Sequence, residues 1–250
     1  MIHRLIDFWP INKCNRDCYY CPARKGIEPI DHEFPPDGRV TRFNNDHFFS
    51  WVDKYCDPKT DVFNGTGGEP GLYGKNPTQR NDGFIRNLKL LIYGLTVERG
   101  FKMVMQTNGT LEIPSSPNLV RTAAWHFDER PIYYDSIIII KLPGWFSKVK
   151  WCEENNVPYR VTNLNEEFRG GGPGILNDKP TRFTHYCFIN AYGQISKTGC
   201  YDGDIYAEDY AIRDLSPPIW KNLKSTCPCC GNAAAVERAF ELSGIDIKYK

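Results

Sequence analysis

Leu5-Ile-Asp-Phe-Trp-Pro-Ile-Asn-Lys-Cys14-Asn-Arg-Asp-Cys18-Tyr-Tyr-Cys21-Pro22 runs from a strand-like segment, Leu5–Trp9, into three closely spaced cysteines. Thiolates are iron–sulfur ligands, and a [4Fe–4S] cluster normally takes four of them. Three cysteines crowded into one loop leave one iron open to a ligand that the chain does not supply. The same spacing suits a zinc site completed by a remote ligand.

Working outward, strand-like runs alternate with helical periodicity over the first two-thirds of the chain, the pattern of β/α units around a parallel sheet. The strand expectations are Leu5–Trp9, Asp61–Gly65, Lys102–Thr107, Ser136–Lys141 and Tyr159–Leu164. Helices are expected over Asn45–Cys56, Asp82–Arg99 and Ser147–Asn155. In the second of these Phe84, Leu88, Leu91, Ile92 and Leu95 share a face and Gly100 is placed to end it. In β/α folds the loops at the carboxyl ends of the strands carry the site. The alternation stops near Pro180, where a domain boundary is expected. Beyond it come a hairpin around Gly193, a helix over Ser216–Lys224 and an Ala-rich helix over Asn232–Leu242.

Composition sets the class. The chain has 250 residues, 41% hydrophobic and 24% charged, enough for a buried core. Its net charge of +1 and lack of a dense Lys/Arg run argue against broad capture of nucleic acid or an anionic membrane. The run Ile137–Ile140 is too short to span a bilayer. No export signal opens the chain, so a cytoplasmic location is expected, with the ten cysteines read as reduced metal ligands rather than disulfides. Eight of them fall in two groups, Cys14–Cys21 and Cys187–Cys230. Cys56 and Cys152 fall on expected helices and read as packing residues. The five histidines show no ligand spacing.

Three further loops carry chemistry. Asn64-Gly-Thr-Gly-Gly-Glu-Pro70 follows the second strand; Gly67 and Gly68 allow close backbone approach to a ligand, and the Glu69 carboxylate suits a cation. Gln106-Thr-Asn-Gly-Thr110 ends the third strand and in isolation is an Asn-Gly turn. Arg169 opens a glycine-rich segment, Arg-Gly-Gly-Gly-Pro-Gly174, and Lys141 ends a strand.

Taken together these residues resemble the radical S-adenosylmethionine (SAM) superfamily, whose hallmark is Cys-x3-Cys-x2-Cys with an aromatic residue, here Tyr20, before the last cysteine. The resemblance implies an α/β fold, a partial (β/α)6 TIM-type barrel over residues 1–180, with a small auxiliary domain over 181–250. It implies that Cys14, Cys18 and Cys21 hold a [4Fe–4S] cluster whose open iron binds SAM. Tyr20, Gly67, Gly68 and Glu69 would seat SAM, with Thr107 and Asn108 near its ribose and the substrate. Lys141 would reach the SAM carboxylate or the substrate, and Arg169 the substrate.

The later cysteines narrow the likeness to members with a SPASM or twitch auxiliary domain, similar in layout to the butirosin-pathway deoxy-scyllo-inosamine dehydrogenases. Cys187, Cys200, Cys227 and Cys230, with Cys229 as the alternative to Cys230, would hold a second [4Fe–4S] cluster; a zinc knuckle is the other reading of these four. Six residues, rather than the family's four, separate Gly193 from Cys200. The implied activity is oxidation of a small polar substrate by the 5′-deoxyadenosyl radical, with the auxiliary cluster taking an electron and a flavodoxin or ferredoxin supplying the first. Peptide modification, as in peptide maturases, is the second expectation; the position of Cys14 near the start leaves no room for a preceding peptide-recognition domain and tilts toward a small molecule. A zinc-stabilised binding protein is the non-enzymatic alternative.

Overall fold

The structure, a computed structural model, describes residues 3–11, 14–16, 43–75, 85–125, 129–162, 182–197, 210–223 and 229–245, the last stretch by its backbone alone as far as residue 232. Among them one sheet carries eight strands: β1 (His3–Ile11), β2 (Asp61–Gly67), β3 (Lys102–Thr107), β4 (Leu119–Trp125), β5 (Ser136–Ile140), β6 (Tyr159–Thr162), β7 (Phe183–Ile189) and β8 (Lys221–Asn222). Their order is β6-β5-β4-β3-β2-β1-β7-β8. Every neighbouring pair from β6 to β7 is parallel, and only β8 runs antiparallel, against β7. The carboxyl ends of seven strands therefore share one edge. Strands β1 to β6 are neighbours in chain order without a reversal, the order that a partial (β/α)6 barrel requires.

Alternation along the strands sorts residues between two faces. Ile6, Phe8, Phe63, Met103 and Met105 pack with Phe48, Trp51 and Val52 of α1 (Asn45–Tyr55) and with Leu91 and Ile92 of α2 (Leu88–Tyr93). Each fully buried side chain of this kind contributes about 1.5–3 kcal/mol. Leu5, Val62, Val104 and Val120 belong to a separate cluster completed by Ala233, Val236, Ala239 and Phe240 of the last helix, α4 (Cys229–Leu242). Trp125, Ile137, Ile139 and Cys152 of α3 (Trp145–Glu154) form a third.

Local sequence explains the helix starts. Asn44 accepts the His47 N–H at 2.9 Å and Asn87 accepts the Leu90 N–H at 3.0 Å, each satisfying a donor that the first turn leaves unpaired. A π turn over Gly94–Glu98 continues α2, and Gly100, at φ +71°, ends it as expected.

The structure corrects several element expectations. Strand β4 has no counterpart among them. The second helix begins at Leu88 rather than Asp82: Asn87 is extended, at φ −147°, because it serves as the cap, and residues 82–84 lie outside the described residues. No helix covers Ser216–Lys224 as far as it is described; Lys221–Asn222 is strand β8. Pro217 alone could occupy the first position of a helix, but Pro218 disfavours helical geometry at Pro217, so a first turn capped by Ser216 does not close. Around Gly193 the chain does turn back tightly, with Ile189 bridged to Ile195, but Cys200 lies outside the described residues. Beyond residue 180 the chain adds β7 and β8 to the same sheet. Among the described residues no helix is long and apolar enough to cross a membrane.

Candidate functional site

Three loops meet at the carboxyl edge of the sheet. The first leaves β1 and carries Cys14, Asn15 and Arg16; the second leaves β2 and carries Gly68 and Glu69; the third leaves β3 and carries Asn108, Gly109 and Thr110. The first two are joined where the Gly68 N–H donates to the Ile11 carbonyl at 2.9 Å. Gly67 makes that approach possible. Its φ is +101°, and a Cβ there would lie 2.7 Å from Trp9 Cγ and 2.8 Å from the Ile11 carbonyl oxygen, so only glycine fits.

Glu69 joins the second loop to the third. It is 1% exposed, and its Oε1 accepts from the Gly71 N–H at 3.0 Å and the Thr107 hydroxyl at 2.7 Å, while Oε2 accepts the Asn108 N–H at 2.8 Å. Burial raises its pKa above its ordinary value, against the lowering effect of these three donors and of Lys75. A carboxylate offers about four acceptor positions. Three are used within the chain, which leaves capacity for one more donor, and burial makes a cationic one especially favourable.

Asn108 joins the third loop to the first. Its Nδ2 donates to Asn15 Oδ1 at 2.8 Å and lies 3.9 Å from Cys14 Sγ. The Arg16 N–H also donates to Cys14 Sγ, at 3.4 Å. Asn15 Nδ2 donates to Thr110 Oγ1 at 3.0 Å, and Arg16 pairs with Glu129 in the segment after β4. Cys14 is half-buried and not in a disulfide. Thus Cys14, Glu69, Thr107 and Asn108, from segments far apart in sequence, form one hydrogen-bonded assembly.

Lys141 is exposed just beyond β5, its Nζ 5.7 Å from the Trp145 ring centroid. Cys187 is fully buried on β7 in the helix-facing apolar cluster. Burial pushes the Cys56 thiol well up, with Asp61 and Cys187 adding to the effect, and pushes Cys152 up to about 11. Cys152 packs in an apolar cluster and Cys56 caps α1. Cys18, Tyr20, Cys21, Arg169, Cys200 and Cys227 lie outside the described residues, as do the side chains of Cys229 and Cys230, whose backbone opens α4. Among the described residues no group of three or more His, Cys, Asp or Glu side chains is placed to hold a metal.

Sequence reasoning missed the roles of Asn15, Thr110 and Glu129. Asn15 and Thr110 sit inside quoted motifs, and their short polar side chains are a signal for loop-bracing hydrogen bonds. Nothing in spacing points to Glu129.

No protein-family model matches the chain, and no curated protein matches it. Among solved structures it is similar to Streptococcus suis SuiB bound to S-adenosylmethionine, at 13% identity and a TM-score of 0.49, over 86% of this chain and 63% of that one. It is also similar to BtrN in complex with AdoMet and 2-DOIA, at 12% identity and a TM-score of 0.44, over 98% of this chain and 87% of that one. The chain thus spans less than two-thirds of the length of SuiB. At this identity and these TM-scores, neither likeness assigns a function to the chain.

Proposed function

We propose that this chain is a radical SAM enzyme that oxidises a small polar substrate. The observation that carries the reading is the convergence of Cys14, Glu69 and Asn108 at one edge of a parallel sheet. The residues present fit the cofactors by their donor chemistry: a half-buried thiol that receives N–H donors suits a thiolate ligand, and a buried carboxylate with remaining acceptor capacity suits an ammonium group. Cys14, Cys18 and Cys21 would hold the cluster, Tyr20, Gly67, Gly68 and Glu69 would seat SAM, and Thr107 and Asn108 would border it. When bound, the cluster and SAM supply one-electron chemistry that yields a 5′-deoxyadenosyl radical able to take a substrate hydrogen atom.

The chain's own residues bind, orient and shield. Glu69 would accept a hydrogen bond from the ammonium group of SAM. Lys141 would neutralise a carboxylate at the rim, and Arg169 would face the substrate. Cys187, Cys200, Cys227 and either Cys230 or Cys229 would hold a second cluster as electron acceptor, so that residues 181–250 serve electron transfer and residues 1–180 serve SAM. A flavodoxin or ferredoxin would supply the initiating electron. Peptide modification stands as the second reading, favoured by the exposure of Ile132 and Phe146, 67% and 71%, on segments after β4 and β5.

Anaerobic purification tests the class. About eight irons and eight sulfides per chain are expected for two [4Fe–4S] clusters, with 5′-deoxyadenosine released when the protein is reduced with SAM. A colourless zinc protein, or an iron-loaded one releasing none, overturns the reading.

A further inference from the structure

We propose that Asn108 is a positioning residue that sets the reduction potential of the cluster held through Cys14, by presenting an amide N–H to Cys14 Sγ. The inference rests on the radical SAM reading and goes beyond it, since the family likeness places Asn108 only near ribose and substrate.

The amide's orientation is fixed by its neighbours. Asn108 Oδ1 accepts from the Thr110 N–H at 3.0 Å and the Thr110 hydroxyl at 2.6 Å. Thr110 Oγ1 in turn accepts from Asn15 Nδ2 at 3.0 Å, and Asn15 Oδ1 accepts from Asn108 Nδ2 at 2.8 Å. The three side chains close a ring in which every donor meets an acceptor. Flipping the Asn108 amide would set its NH2 against the Thr110 N–H, so the nitrogen must face Asn15 and Cys14. One of its two hydrogens serves Asn15, and the other is left for the sulfur 3.9 Å away. The backbone of Asn108 is held as firmly, by its N–H to Glu69 Oε2 at 2.8 Å.

Among the described residues Cys14 Sγ therefore receives N–H donors from the Arg16 backbone at 3.4 Å and from Asn108. Hydrogen bonds to cluster sulfurs stabilise the additional negative charge of the reduced state and raise its potential. The Arg16 donor is main chain and survives any side-chain change. The Asn108 donor is a side chain and can be removed by substitution, and it is anchored on the carboxylate proposed to receive SAM.

The test is a redox titration of the full-length, anaerobically reconstituted protein, followed by electron paramagnetic resonance. The signal read is the one that changes on adding SAM, which separates it from any second cluster. Asn108→Leu is expected to lower the ratio of reduced to oxidised cluster at fixed potential about tenfold, a negative shift of about 59 mV for one electron. Thr110→Val, which leaves the donor in place but opens the ring, should shift it by less. An unchanged midpoint in Asn108→Leu at wild-type iron content overturns the proposal. Should that variant fail to load iron, the near-isosteric Asn108→Asp is read instead; a midpoint equal to or above wild type overturns the proposal equally. A wild-type protein without an iron–sulfur signal overturns the radical SAM reading itself, a result distinct from either.

Discussion

Trp51 donates its indole N–H to the carbonyl of Ser216 at 2.7 Å, across 165 residues of chain. One turn later Tyr55 donates to the Leu215 carbonyl at 2.6 Å. Helix α1 thereby holds a turn in which Leu215 adopts φ +50°, a conformation that costs a branched residue free energy and persists only where its surroundings impose it. Trp51 is fully buried, so Trp51→Phe removes both a buried hydrogen bond and part of the packing. A loss of about 2 kcal/mol in urea unfolding is expected. Tyr55→Phe keeps the ring and should cost about 1 kcal/mol.

Gly67→Ala should be damaging out of proportion to the one methyl group added. The positive φ and the contacts with Trp9 Cγ and the Ile11 carbonyl oxygen both have to be relieved by moving the backbone. A cost of about 2 kcal/mol or more is expected in urea unfolding. On the proposed radical SAM reading, SAM binding by calorimetry should weaken as well, because Glu69 follows two residues later. Gly100→Ala provides the contrast, since it meets only the strain of its positive φ with nothing within 4 Å.

Glu69 gives the chain a pH dependence of known sign. Its folded pKa lies above the ordinary value of 4.5, chiefly through burial. The folded chain then holds a proton at a pH where the unfolded chain has released it. The stability this group contributes is fully present below the ordinary carboxyl value and is lost as pH rises through the raised folded value. The slope within that window is at most about 1.4 kcal/mol per pH unit. Glu69→Gln should remove this component from urea-derived stability measured across the window. On the proposed radical SAM reading, SAM affinity in the wild-type protein should rise with pH through the same window, because the ionised carboxylate is the form that attracts an ammonium group. A flat affinity profile would contradict that assignment.

The parts of the fold legible in the sequence were those where local and tertiary preferences agree. Ile137–Ile140, and Lys102–Thr107 around its apolar centre Met103–Met105, read as strands and are strands. Strand β4, Leu-Val-Arg-Thr-Ala-Ala-Trp, carries two alanines and an arginine, weak strand formers; its place between β3 and β5 supplies the burial that local preference lacks. The apolar cluster that α4 shares with Leu5 and Val62 is a long-range contact with no local signal. At the site, Glu69 was marked by the glycines before it. The ring of Asn15, Asn108 and Thr110 was not, because two of its links join residues more than 90 positions apart and only the meeting of parallel strand ends brings them together.

Asp61 anchors the opposite edge of the sheet. At the start of β2 it accepts from Arg4 Nε at 2.5 Å and Nη2 at 2.6 Å, and from the Asp57 N–H at 2.8 Å. Its side chain is fully buried, whereas that of Arg4 is 26% exposed and lies 4.5 Å from the Trp220 ring centroid. The planar fork of Arg4 meets the carboxylate at two points, the geometry in which an ion pair is strongest. Asp61→Ala should cost about 3–5 kcal/mol in urea unfolding, because it strands a partly buried guanidinium and the Asp57 N–H. Replacing both charges, as Arg4→Met with Asp61→Leu, removes the desolvation cost along with the attraction. The double variant should recover much of that loss, short of the contribution from the Asp57 N–H, which no apolar side chain can accept. If the double variant is as unstable as Asp61→Ala alone, the stranded charge is not the source of the cost, and the hydrogen bonds that Asp61 accepts from the Asp57 N–H and, at 3.3 Å, from the Thr60 hydroxyl are.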